Sequence, residues 1–140
     1  MNDLDLQSGI ALDIDETLSI TGPFWIQQFL DIHGNPHKHC PKELFRNRWY
    51  YNKETEAISY DKVNTFIQPL SESNDAQKDL PLIPNANHIV EKIDAILHIS
   101  CYITARPETV RESTETWLEM HGFPKRPIIM RPPKRKNGNQ

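Results

Sequence analysis

Apolar positions along the chain fall into short runs and helical stripes separated by polar or proline-rich segments. "GIALDI" is a compact apolar run bounded by Ser8 and Asp13, and its length suits a buried strand better than a helix. In "PFWIQQFLDIHG", Phe24, Ile26, Phe29, Leu30 and His33 fall near helical spacing, with Pro23 suited to the first turn and Gly34 to the end. "GNPHKHCP" reads as a loop. "KELFRNRWYYN" is aromatic and basic, and its pattern leaves its form open. "ETEAISYDKVNTFIQPL" places Ala57, Tyr60, Val63, Phe66, Ile67 and Leu70 at helical spacing and predicts a helix that stops near Pro69. "SESNDAQKDLPLIP" reads as a polar connector.

The pattern then becomes regular. "NANHIVEKIDAI" predicts an amphipathic helix with Ala86, Ile89, Val90, Ile93 and Ile96 on one face, and "LHISCYIT" a strand. "RPETVRESTETWLEMHG" predicts a helix with Pro107 in its first turn and Gly122 just past its end, and "PIIMR" a short strand. Helix, strand, helix and strand joined by short connections imply crossover units and a parallel sheet. Residues 1–20 and 82–140 are therefore expected to build one α/β layer structure. Residues 21–81 are expected to be a mostly helical insertion after the first strand, rich in aromatic residues: Trp25, Phe29, Phe45, Trp49, Tyr50, Tyr51 and Tyr60.

Composition narrows the class. The chain of 140 residues, 37% hydrophobic and 25% charged, is long enough for one domain with a real core. Its formal net charge of −3 supplies no general attraction to nucleic acid or anionic lipid, so neither is an expected partner. The exception is the C-terminal stretch, where Lys125, Arg126, Arg131, Lys134, Arg135 and Lys136 occur without an acid. That stretch is either a solvated end or a phosphate-attracting rim. Cys40 and Cys101 cannot make a disulfide framework, and Cys101 is expected to be a buried thiol in a reducing compartment. The acidic N-terminus lacks a signal-peptide pattern, and no apolar run approaches a membrane span. A cytoplasmic location follows as the expectation.

The candidate chemistry begins at the end of the first strand. In open parallel sheets, ligands bind beyond the carboxyl ends of the strands, and Asp13 and Asp15 lie at such an end. Acids on alternate residues of an extended chain point to one side, where their repulsion calls for a cation or a shared proton. A hard divalent ion, Mg²⁺ first, satisfies oxygen ligands of this kind. One carboxylate can then act as nucleophile and the other can handle protons. The plainer reading is an acid pair that caps the following turn. A calcium loop is excluded, since Leu18 stands where glycine is needed and Phe24 where glutamate is needed. "CYITARPE" places Thr104 at a strand's end before a helix starting near Pro107. A hydroxyl and backbone N–H groups there make an anion site, and Arg106 adds a positive charge with bidentate geometry. The plainer reading is a capping threonine and a surface arginine.

"ALDIDETL" resembles the first motif of the haloacid dehalogenase-like superfamily, an apolar strand followed by D-x-D-x-T, and "CYITARP" resembles its second, an apolar strand ending in Ser or Thr. The resemblance implies an α/β fold: a Rossmann-like parallel sheet with helices on both faces and a mainly helical cap inserted after the first strand. It implies a Mg²⁺-dependent phosphatase acting on a small phosphorylated substrate, a phosphate monoester. Asp13 would be the nucleophile that becomes an aspartyl-phosphate and would also bind Mg²⁺. Asp15 would be the general acid and base, with its backbone carbonyl on the metal. Thr17 would support the loop, and Thr104 would hold the phosphate, beside Arg106. An acid at position 15 is what the family's phosphatases carry.

The resemblance also implies a Lys and a strand ending in acids that complete the Mg²⁺ shell. After "PIIMR" comes "PPKRKNGNQ", in which only Lys134 or Lys136 could stand in for the Lys. The expectation is a C-terminally truncated chain with feeble catalysis, and the rival reading is a fragment acting at most as a binding module. His33, His37, His39 and Cys40 are borderline zinc ligands whose spacing matches no standard site and favours a plain loop. "RNRWYY" either stacks on a base or sugar or forms the core of a small cap, and the latter is favoured.

Overall fold

A computed structural model describes residues 9–47 and 60–132. The first strand, β1 (Ile10–Asp13), is followed by the helices α1 (Gly22–His33), α2 (Pro41–Asn47), α3 (Tyr60–Ser71) and α4 (Asn74–Lys78). Then come α5 (Ala86–Ile96), β2 (Ile99–Pro107), a 3-10 turn (Glu108–Val110), α6 (Arg111–Met120) and β3 (Ile128–Arg131). The strands form a three-stranded sheet in the order β1-β2-β3. Both pairings are parallel, with Leu12 opposite Tyr102 and Tyr102 opposite Ile128. The fold is therefore α/β with a parallel sheet.

Strands laid down in sequence order through crossovers of one hand carry their helices on the same face. The core follows that rule. Tyr102, Ile128 and Met130 share one cluster with Ala86 and Val90 of α5 and with Trp117 and Leu118 of α6. At alternate positions Ile103 and Ile129 stay 45% and 43% exposed, so this face of the sheet has no helical cover among the described residues. Among the described residues, the helices that share the sheet's core cluster pack on one face.

Helices α1, α2 and α3 build a second core from Ile26, Phe29, Leu30, Leu44, Tyr60 and Val63. Phe29 meets Phe66 edge-on at 5.6 Å, a favoured aromatic geometry, and the Tyr60 hydroxyl donates to the Leu44 carbonyl at 3.2 Å. Of the segment left open, residues 42–47 are helical, in a helix that starts at Pro41 of the preceding loop. Trp49, Tyr50 and Tyr51, the helix expected over 54–59, and Lys134, Arg135 and Lys136 lie outside the described residues.

Three elements differ from the sequence reading. The connector expected over 71–84 contains α4, which packs against α6. Its anchors are polar: the Asn74 side chain donates to the Thr109 carbonyl and accepts from the Ser113 N–H, and Gln77 is buried. A helix held by such bonds leaves no apolar stripe to read. Strand β2 runs past Thr104 to Pro107, and α6 starts only at Arg111. The cause is Pro107, which keeps itself and Arg106 extended. On α5 the buried stripe is narrower than expected, because Ile89 and Ile96 are exposed while Ala86 and Val90 are buried.

Candidate functional site

The loop after β1 is a tight turn. The Ile14 carbonyl accepts from the N–H groups of Thr17, Leu18 and Ser19, while the Ile14 and Leu18 side chains are buried in the sheet core. The Ile20 N–H donates to the Pro81 carbonyl and the Ile83 N–H to the Leu18 carbonyl, which pins the turn to residues 81–83. Glu16 takes the left-handed conformation at φ 60°, an uncommon state for a residue with a side chain. Its carboxylate accepts from the N–H groups of Thr21 at 2.7 Å and Gly22 at 2.9 Å. Those groups open α1 and have no partner within the helix, so Glu16 acts as its cap and complements its dipole.

Asp15 is the hub. Its Oδ1 accepts from Arg106 Nη2 at 2.8 Å, Arg106 Nε at 3.1 Å and Thr21 Oγ1 at 2.7 Å. Its Oδ2 accepts from Thr104 Oγ1 at 3.2 Å and Arg106 Nε at 3.2 Å. Ser19 Oγ lies 3.4 Å from Oδ1. The Arg106 side chain is only 4% exposed. Its Nη1 donates to Thr114 Oγ1 at 3.1 Å, and that hydroxyl donates onward to the Val110 carbonyl at 2.8 Å. The Arg106 N–H donates to Thr104 Oγ1 at 3.1 Å. Burial pushes the Asp15 carboxyl up, but the Arg106 hydrogen bonds and charge, with Thr21 and Thr104, outweigh it and hold the group below its ordinary value.

The structure therefore brings Asp15, Thr104 and Arg106 together, from the loop after β1 and from the far end of β2. It does not bring in all the expected residues. Asp13 is exposed, and its Oδ1 accepts from its neighbour's N–H, that of Ile14, at 2.9 Å. Thr17 is exposed and supports the loop through its backbone N–H, bonded to the Ile14 carbonyl at 3.2 Å. Two readings need correction. Thr104 does not stand at a helix N-terminus, because β2 continues beyond it. Arg106 is not an unpaired charge awaiting an anion, because Asp15 already occupies its fork. Sequence reasoning missed Glu16, Ser19, Thr21 and Thr114. The only signal was the clustering of hydroxyl residues in "TLSIT", which is common in any turn.

Among the described residues, no group of three or more His, Cys, Asp or Glu side chains could hold a metal ion. His33 packs against Phe29 at 4.4 Å, and the Asn35 carboxamide bonds both the N–H and the carbonyl of His39. The first contact lies within α1 and the second folds the loop that follows it. For Mg²⁺, the exposed Asp13 carboxylate fits, because this ion commonly takes one or two carboxylates and fills its shell with water and phosphate. The Asp15 carboxylate does not fit, because Arg106 holds both its oxygens. The resemblance asks only for the Asp15 backbone carbonyl.

Two cavities flank Glu16. One of about 250 Å³ lies among Trp25, Ile26, Phe45, Tyr60 and Val63. The other, of about 600 Å³, lies between the start of α1, the start of α2 and residues 81–84. Comparison of the sequence with protein families and with curated proteins returned no match. Among the described residues no helix is long and apolar enough to cross a membrane.

Proposed function

We propose that this chain carries a phosphatase site of the haloacid dehalogenase-like kind, with α1, α2 and α3 as its cap. The observation that supports it is the meeting of Asp15 with Thr104 and Arg106 at the carboxyl ends of adjacent parallel strands, where such sheets present ligands. In the first half-reaction an Asp13 carboxylate oxygen attacks phosphorus, and the bond from phosphorus to the ester oxygen breaks. The leaving oxygen takes its proton from water, because the ionised Asp15 has none to give, and an aspartyl-phosphate remains. In the second, water attacks that phosphorus and its proton passes to Asp15, while the bond from phosphorus to the Asp13 oxygen breaks and frees inorganic phosphate and the Asp13 carboxylate. Arg106 keeps Asp15 ionised and correctly turned for that transfer. Thr104 stands beside it, and its hydroxyl would turn from Asp15 Oδ2 to donate to a phosphate oxygen. Mg²⁺, held by the Asp13 carboxylate and the Asp15 backbone carbonyl, would neutralise charge on the transferred group.

The second reading, a fold that binds phosphate without turning it over, draws on the Asp15–Arg106 ion pair, which already engages the Asp15 carboxylate. One assay separates them. Release of phosphate from an aryl phosphate is measured with Mg²⁺ and with EDTA, for the wild type and Asp13→Asn. Metal-dependent turnover that the substitution abolishes supports the phosphatase. No release by either protein leaves the binding reading, and equal release by both removes Asp13 as the nucleophile.

A further inference from the structure

The larger cavity beside Glu16 has a lining suited to one kind of ligand. Four prolines, Pro23, Pro41, Pro81 and Pro84, form its walls together with Phe24 and Ile83. Proline has little backbone freedom to lose, so the walls are preorganised and binding orders little. The volume of about 600 Å³ lies within the range of small-molecule sites, which are mostly apolar with a few polar groups. The polar groups are at the edges, where Lys42, Gln27 and Glu16 line the cavity. Ser19 also lines it, and the Ser19 hydroxyl lies 3.4 Å from Asp15 Oδ1. Ser19 is itself fully buried, so the cavity adjoins the loop that carries Asp15 without opening onto the Asp15 carboxylate. Lys42 at its wall complements an anion.

The geometry points to this cavity as the binding site for a flat, weakly polar ring, and hence to a substrate class of small aromatic monophosphates. The ring lies between the prolines and Phe24, and the phosphoryl group faces the loop that carries Asp13 and Asp15. Ring binding rests on the cavity alone, whereas the assignment to a substrate rests on the phosphatase reading above.

The test keeps the two apart. 2-Naphthol, which has no phosphate, is titrated into the full chain while the methyl signals of Ile20 and Ile83 are followed by NMR, with Ile96 as a distant control. Both cavity signals are expected to shift saturably at millimolar concentration while Ile96 stays still. Cys40 lines the cavity and is exposed, whereas Cys101 is buried. Alkylating Cys40 with a bulky maleimide is therefore expected to abolish the shifts, and Gln27→Trp at the exposed rim to weaken them. With Mg²⁺, kcat/KM for 2-naphthyl phosphate is expected to exceed that for glycerol phosphate by about ten-fold or more.

Shifts without turnover uphold the ring site and sink the phosphatase reading. Turnover of both esters at similar kcat/KM, without shifts, sinks the ring site and spares the phosphatase. Shifts that survive Cys40 alkylation also overturn the proposal, because the ring then binds elsewhere.

Discussion

Arg106 Nη2 and Asp15 Oδ1 lie 2.8 Å apart across 91 positions of sequence, and the pair fastens the loop after β1 to the end of β2. The ion pair is nearly closed to water on the arginine side, with side-chain exposures of 4% for Arg106 and 25% for Asp15. Breaking a buried pair by removing one partner leaves an uncompensated charge, which is worse than removing both. Arg106→Met is therefore expected to lower the unfolding free energy by about 3 kcal/mol. Asp15→Asn combined with Arg106→Met is expected to cost less than Arg106→Met alone. Urea unfolding of the three variants checks this, and a double variant weaker than Arg106→Met contradicts it.

Acid should act on the same pair. The folded Asp15 carboxyl is held below its ordinary value of 3.8. In the window between the folded and unfolded values, the unfolded chain binds the extra proton. Stability from Asp15 is then fully present above the unfolded value and is lost as pH falls through the folded one. Asp94, depressed by its bond from the Ile99 N–H and by Arg126, acts with the same sign. Unfolding free energy measured from pH 6 down to pH 2 is expected to fall more steeply for the wild type than for Asp15→Asn. Parallel curves would remove Asp15 from this account.

Thr114 supports the arginine from behind. It is fully buried, and its hydroxyl accepts from Arg106 Nη1. Thr114→Val keeps the volume but leaves a buried guanidinium N–H without a partner, at a cost of about 1–3 kcal/mol. Thr114→Ser retains the hydroxyl and is expected to recover most of that loss. Thermal unfolding of both variants measures the difference, and equal midpoints would mean that the hydrogen bond contributes nothing.

Two glycines should respond differently to alanine. A Cβ at Gly9 would collide with the His98 carbonyl oxygen, so the start of β1 would have to move away from the start of β2. A Cβ at Gly34 would meet nothing within 4 Å, but φ there is 87°. Gly9→Ala is expected to cost about 2 kcal/mol through overpacking. Gly34→Ala is expected to cost about 1 kcal/mol through backbone strain. Denaturation midpoints rank the two, and the reverse order would refute the packing argument.

The sequence by itself determined the parts of this protein that depend on local pattern. The runs "GIALDI", "ISCYIT" and "PIIMR" are strands because short β-rich apolar runs bounded by turn residues have no better use. Their alternation with helices dictates parallel pairing, since the chain must cross over between them. The Pro23 and Gly34 signals locate the ends of α1, because proline suits a helix start and a left-handed glycine its end. Asp15, Thr104 and Arg106 stood out as polar residues at strand ends.

Tertiary structure alone decided what those residues do to one another. Hydrogen bonds between groups 91 positions apart leave no periodic trace, so the sequence could show Arg106 as a charge but not Asp15 as its partner. The same holds for α4, whose polar side chains become anchors only once α6 lies beside them, and for Glu16, whose carboxylate caps α1 only because its backbone turns left-handed. Local patterns record which surfaces must leave water. Which donor meets which acceptor is settled only when the layers pack.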